Sequence, residues 1–146
     1  MPFALIKKEL SKISWDILKH YCVNTCRKTE SIPATVAVIQ TFGDFLGFNP
    51  HMHILASDGC FGEDGFFYAS PIRIDTSSLE ELFIYRVFKM LLSKGLITGR
   101  VIELILSWRH SGFGFYCGDR ISPGEARSTS KPCKIYYKGV IFLRRG

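Results

Sequence analysis

Nothing in this chain marks it for a membrane or a secretory route. Across its 146 residues no apolar run approaches the roughly 18 that cross a bilayer. The opening Met1-Pro2-Phe3-Ala4-Leu5-Ile6-Lys7-Lys8 reaches charge too early to hold a signal peptide's apolar core. A soluble, cytoplasmic protein with no membrane partner is expected. Cysteine lacks a paired pattern: Cys22, Cys26, Cys60, Cys117 and Cys133 make an odd set of five without two zinc-type pairs. That excludes a disulfide scaffold and predicts reduced thiols in a reducing compartment. Cys22 and Cys26 would fall one turn apart on a helix, but no second pair completes a zinc set. Internal repeats and low-complexity tracts are missing too, which excludes solenoids and disordered arrays. Acidic residues are outnumbered, 13 against 19 Lys and Arg, and the net charge of +6 favours an anionic partner without specifying nucleic acid. What is present is a hydrophobic fraction of 47%, enough for one substantial core.

The stretch that carries chemistry is Phe48-Asn49-Pro50-His51-Met52-His53-Ile54-Leu55-Ala56-Ser57-Asp58-Gly59. On a strand, His51, His53 and Leu55 point to one face and Met52, Ile54 and Ala56 to the other. Two imidazoles two residues apart then lie side by side and can share one divalent cation. On a helix the same pair would diverge by roughly 200°. The bland alternative is a pair of partly exposed strand histidines. Ile54, Leu55 and the Asp58-Gly59 turn signal favour a strand, and Pro50 is tolerated near its start.

Around this stretch the pattern predicts a helix from Leu5 to about Tyr21, with Leu10, Ile13, Ile17 and Leu18 as its apolar stripe. Its Lys7 and Lys8 suit either a DNA-facing basic surface or an ordinary solvated face. A polar connector from Asn24 to Pro33 leads to a β-branched strand, Ala34 to Phe42. A short loop with Gly43 and Gly47 suits a hairpin into the histidine strand, and Phe66 to Ala69 can return as a third strand, putting the histidines on the middle member of a meander. Ser77 and Glu80 fit a capping box for a helix whose apolar face is Leu79, Leu82, Phe83, Val87, Met90 and Leu91, with Gly95 as its stop. A second helix from Val101 to about Leu106 should pack similarly, and Phe113 to Cys117 alternates as a strand does. The fold class is α+β: a central antiparallel sheet carrying the His-x-His strand, with helices packed on it.

The run from Gln40 to Gly59, followed in order by Leu106-Ser107-Trp108-Arg109-His110-Ser111-Gly112-Phe113, resembles the two marker blocks of rolling-circle insertion-sequence transposases, the two-tyrosine family within the HUH single-strand nucleases. The resemblance implies a HUH core in which His51, His53 and a third polar ligand hold Mg²⁺ or Mn²⁺ against a scissile phosphate of single-stranded DNA at transposon ends. A tyrosine hydroxyl then displaces the 3′ oxygen and keeps the 5′ phosphate as an ester. His110 is the candidate third ligand, with a core or phosphate-contacting histidine as the other reading, and Asp58 is the alternative ligand. Arg109 suits a phosphate contact or an ordinary surface position. Possible protein partners are a second copy or a full-length transposase.

The resemblance covers about Leu5 to Pro123. Where the family continues into a helix bearing Leu-Ala-Arg-Tyr-Ile-Ile-Arg and its nucleophile, this chain has Glu125-Ala126-Arg127-Ser128-Thr129-Ser130. Ser130 to Lys138 can be encoded TCA AAG CCT TGC AAG ATA TAT TAT AAG G, which one nucleotide later reads Gln-Ser-Leu-Ala-Arg-Tyr-Ile-Ile-Arg. The division expected is a transposase core over 1–124 and an aberrant, frameshift-derived tail over 125–146. Ile135 to Leu143 looks like an extra strand more than a nucleophile helix, which leaves Tyr136 as a weak stand-in for the catalytic tyrosine. The expected function is a transposase core defective in strand transfer. The alternative is a non-catalytic DNA-binding fragment that interferes with a full-length transposase.

Overall fold

A computed structural model describes residues 3–42, 48–70, 75–109, 113–121 and 136–143. The described elements run α1 (Phe3–Cys26), β1 (Ser31–Ile32), β2 (Thr35–Phe42), β3 (Phe48–Ser57), β4 (Gly59–Gly62), β5 (Phe67–Ala69), α2 (Thr76–Ser93), α3 (Gly99–Leu106), β6 (Phe113–Ile121) and β7 (Tyr136–Leu143). The class is α+β, with antiparallel pairing throughout.

The larger sheet has the order β2-β3-β7-β6, so the histidine strand is an inner one. Val38 pairs with His53 and Gln40 with His51 on one side of it. On the other side His53 pairs with Val140 and His51 with Phe142. The expected meander is corrected here. β5 does not return to β3 but pairs with β4, in a separate three-stranded sheet of order β1-β4-β5, and the second neighbour of β3 is β7. The reason lies at Gly59, whose φ of +148° turns the chain out of β3 immediately after Asp58. A Cβ there would stand 2.1 Å from the Tyr68 carbonyl oxygen, so only glycine lets β4 and β5 close up at this joint. Ser57 secures the same corner. Its hydroxyl donates to the Gly59 carbonyl at 2.7 Å and accepts the Ala34 N–H at 2.9 Å.

One face of the larger sheet is covered. Met52, Ile54 and Ala56 of β3 are buried against Ile13, Ile17 and Leu18 of α1 and Leu79, Phe83, Val87 and Met90 of α2. Phe113 and Phe115 of β6 pack on the same cluster. Burial of these aliphatic and aromatic groups, each contributing roughly 1.5–3 kcal/mol, holds the helices to the sheet. The apolar stripes read from sequence thus meet in one core.

Three local expectations are corrected. α1 continues to Cys26, five residues past Tyr21, and stops where Arg27 takes a φ of +54° and the Lys28 N–H reaches back to the Val23 carbonyl. The cap of α2 is Asp75, whose carboxylate accepts the Ser77 N–H at 3.1 Å and the Ser78 hydroxyl, so Ser77 lies inside the helix. Glu80 turns away from a capping role because its carboxylate accepts the Phe115 N–H of β6 at 2.9 Å, tying helix to sheet. α3 buries none of its residues, with Leu104 and Leu106 mostly exposed. Eight residues span only about 12 Å, and α1 and α2 already occupy the covered face.

Candidate nucleic-acid and metal face

The parity that sends Met52, Ile54 and Ala56 to the helices sends His51, His53 and Leu55 to the opposite face. No helix of the described residues is packed there. Val36 and Val38, which share that face through their ladder partners Leu55 and His53, are 62% and 58% exposed. The two imidazoles stand together, with ring centroids 4.8 Å apart and planes at 75°. His51 is buried and His53 half-buried. Among the described residues no group of three or more His, Cys, Asp or Glu side chains converges as a metal cage would.

The other candidates are distributed unevenly. His110 lies outside the described residues. Arg109 is exposed just beyond α3. Lys7 and Lys8 belong to α1, which covers the face opposite the histidines. Asp58 is fully buried past the end of β3, five residues from His53 and so about 16 Å along the strand direction. Its carbonyl accepts the Ser70 N–H, which makes it part of the joint between the two sheets. The rung of Tyr136 faces Ser57, four residues from His53, or about 13 Å.

Sequence reasoning passed over Tyr116. Phe113 and Phe115 pack on the core, so the pleat places Tyr116 on the histidine face, where it is 60% exposed. The ladders align His53 with Val140 and Val140 with Tyr116, two strands apart or about 10 Å. The signal for it was the alternation Phe113-Gly114-Phe115-Tyr116, whose face could be assigned only once the partner strands were known.

An antiparallel sheet with helices on one face and two adjacent imidazoles on the other defines a protein of the α+β class. The chain belongs to the family Y2_Tnp, described as "Putative transposase", whose profile matches residues 34–119, more than half of the sequence. No curated protein and no solved structure matches it. The matched span takes in β2 to β6 up to residue 119, including both histidines and Tyr116. Membership ties the chain to DNA transposition.

Proposed function

We propose that the histidine face of the larger sheet is a metal-assisted single-stranded DNA site of the HUH type, in a transposase core that binds DNA ends but does not complete strand transfer. The observation that carries this is the placement of His51 and His53, side by side on the face of an inner strand opposite the one that α1 and α2 cover. Their donor set fits a divalent cation, Mg²⁺ or Mn²⁺, as two imidazoles whose rings are already adjacent, and His110 is the candidate to complete the set. A cation bound there would polarise a non-bridging phosphate oxygen and stabilise charge developing on the leaving oxygen. The chain's own residues do the rest. Tyr116 offers an exposed ring for a base to stack on, worth about 1–3 kcal/mol in such sites. Val36 and Val38 give the bases an apolar floor, Arg109 is available to phosphate, and the net charge of +6 attracts the strand.

The family's nucleophile is replaced in this sequence by Glu125 to Ser130, and the Tyr136 rung stands away from the histidines. Binding without a covalent product is therefore the expected behaviour. The second reading, a non-catalytic fragment that competes with a full-length transposase, shares the DNA site and dispenses with the cation. Both are tested by fluorescence anisotropy of a labelled single-stranded oligonucleotide, titrated with and without Mn²⁺. Tightening by Mn²⁺ that disappears in His51→Ala/His53→Ala supports the metal-assisted site. Equal binding by wild type and the double variant, with or without Mn²⁺, leaves only the competitor reading. Absence of single-strand binding sinks both, and a denaturant-stable protein-DNA adduct lost in Tyr136→Phe would show an active nicking enzyme instead.

A further inference from the structure

The fold brings a cysteine distant in sequence, Cys60, toward the end of α1 where Cys26 lies. Cys22 and Cys26 occupy the last two turns of α1, four residues apart and so on one side of the helix. Cys60 lies on β4, which packs on α1, and its thiol is near enough to raise those of Cys22 and Cys26. A second set of contacts fixes the same arrangement. Cys26 Sγ donates to the Tyr68 carbonyl at 3.3 Å, and Tyr68 is the ladder partner of Cys60. Lys28 stands over the Tyr68 ring at 4.2 Å, closing the end of α1 onto this small sheet. Cys60 is fully buried and Cys22 nearly so, whereas Cys26 is partly open to solvent.

We propose that Cys26 and Cys60 form an oxidant-dependent disulfide that staples the C-terminal end of α1 to β4. The oxidant is a peroxide. It meets the accessible thiolate of Cys26 first, its O–O bond breaks, and Cys26 becomes a sulfenic acid as hydroxide leaves. The Cys60 sulfur then attacks the sulfenic sulfur. An S–S bond forms, the S–O bond breaks, and the hydroxyl departs as water with the Cys60 proton. Two thiols lose two electrons and the peroxide gains them, giving two waters overall.

The surroundings make this slow. Burial, and then the neighbouring Cys60, push the Cys26 thiol up to about 11, so little thiolate is present at neutral pH. Cys22 is pushed higher still, by burial first and then by Cys60. It acts as a packed bystander. A thiol of this kind responds to sustained oxidant and not to brief exposure.

The test uses the full chain, treated with hydrogen peroxide, then denatured, alkylated and digested with trypsin. The expected result is that two of the five cysteines escape alkylation, and that the peptide of residues 20–27 becomes linked to the peptide of residues 29–73. Fragmentation between Val23 and Asn24 must place the link at Cys26, and reduction must release it. Cys26→Ser abolishes the link, while Cys22→Ser keeps it. If Cys22→Ser does not fold, the wild-type fragmentation map decides alone. A link through Cys22, a closed Cys22-Cys26 pair within one peptide, a link to Cys117 or Cys133, or five alkylated thiols would overturn the proposal.

Discussion

Ile54→Ala tests which face of the larger sheet is covered, and with it whether the histidine face is open. Ile54 is 4% exposed and sits one residue from His53, pointing the other way into the cluster formed by α1 and α2. Removing three carbons at about 0.8 kcal/mol each loses about 2.4 kcal/mol of burial. The residual void adds about 1 kcal/mol more, for a total near 3.5 kcal/mol, inside the range of about 2–5 seen for such truncations. With a urea m-value of about 2 kcal/mol/M, the unfolding midpoint should fall by about 1.7 M, read by circular dichroism. The matched control is Val38→Ala, whose side chain is 58% exposed on the histidine face and should cost no more than about 0.5 kcal/mol. Equal losses for the two variants, or a larger loss for Val38→Ala, would refute the assignment of faces. The histidines would then belong to a core and not to a surface that can admit a DNA strand.

Three further outcomes follow from single contacts. Gly59→Ala should destabilise the chain by at least about 2 kcal/mol, because φ of +148° is strained for alanine and its Cβ would meet the Tyr68 carbonyl; the urea midpoint reads it. Glu80→Ala leaves the Phe115 N–H without its acceptor and should cost about 1–3 kcal/mol, while Glu80→Gln retains a carbonyl oxygen and should recover most of the loss. Asp75→Ala should lower the melting temperature at pH 7. The Ser78 hydroxyl, then the Ser78 and Ser77 N–H groups, hold the Asp75 carboxyl below its ordinary value. A depressed folded value means the stabilisation is present above the unfolded value of about 3.9 and lost as pH falls through the folded one. The gap between Asp75→Ala and wild type should therefore close below about pH 4, and a gap that widens in acid would contradict the cap.

What could be read from the sequence was whatever a single element states about itself. The 3.6-residue stripe of Ile13, Ile17 and Leu18 and that of Leu79, Phe83, Val87 and Met90 required only their own helices, and the alternation from His51 to Ala56 required only its own strand. What could not be read was pairing at a distance. Phe67 to Ala69 carries no mark saying that it joins β4 and not β3, and Tyr136 to Leu143 alternates too weakly to announce that it separates β3 from β6. The same limit hid the approach of Cys60 to the end of α1, which comes about only after Gly59 turns the chain. It hid Tyr116 as well, because a tyrosine on an isolated strand has no face until its neighbours are known. Helix caps failed for a different reason. Asp75 and Ser77 both precede the same apolar run, and the choice fell to Asp75 because Glu80, which Ser77 would have needed as its capping-box partner, is engaged by the Phe115 N–H. The site itself depends on a parity that a one-residue slip would reverse, exchanging His53 for Ile54 on the open face. That slip would move two imidazoles in among aliphatic side chains and turn Met52, Ile54 and Ala56 away from them, so the same core that stabilises the fold also holds the histidine pair on the opposite face.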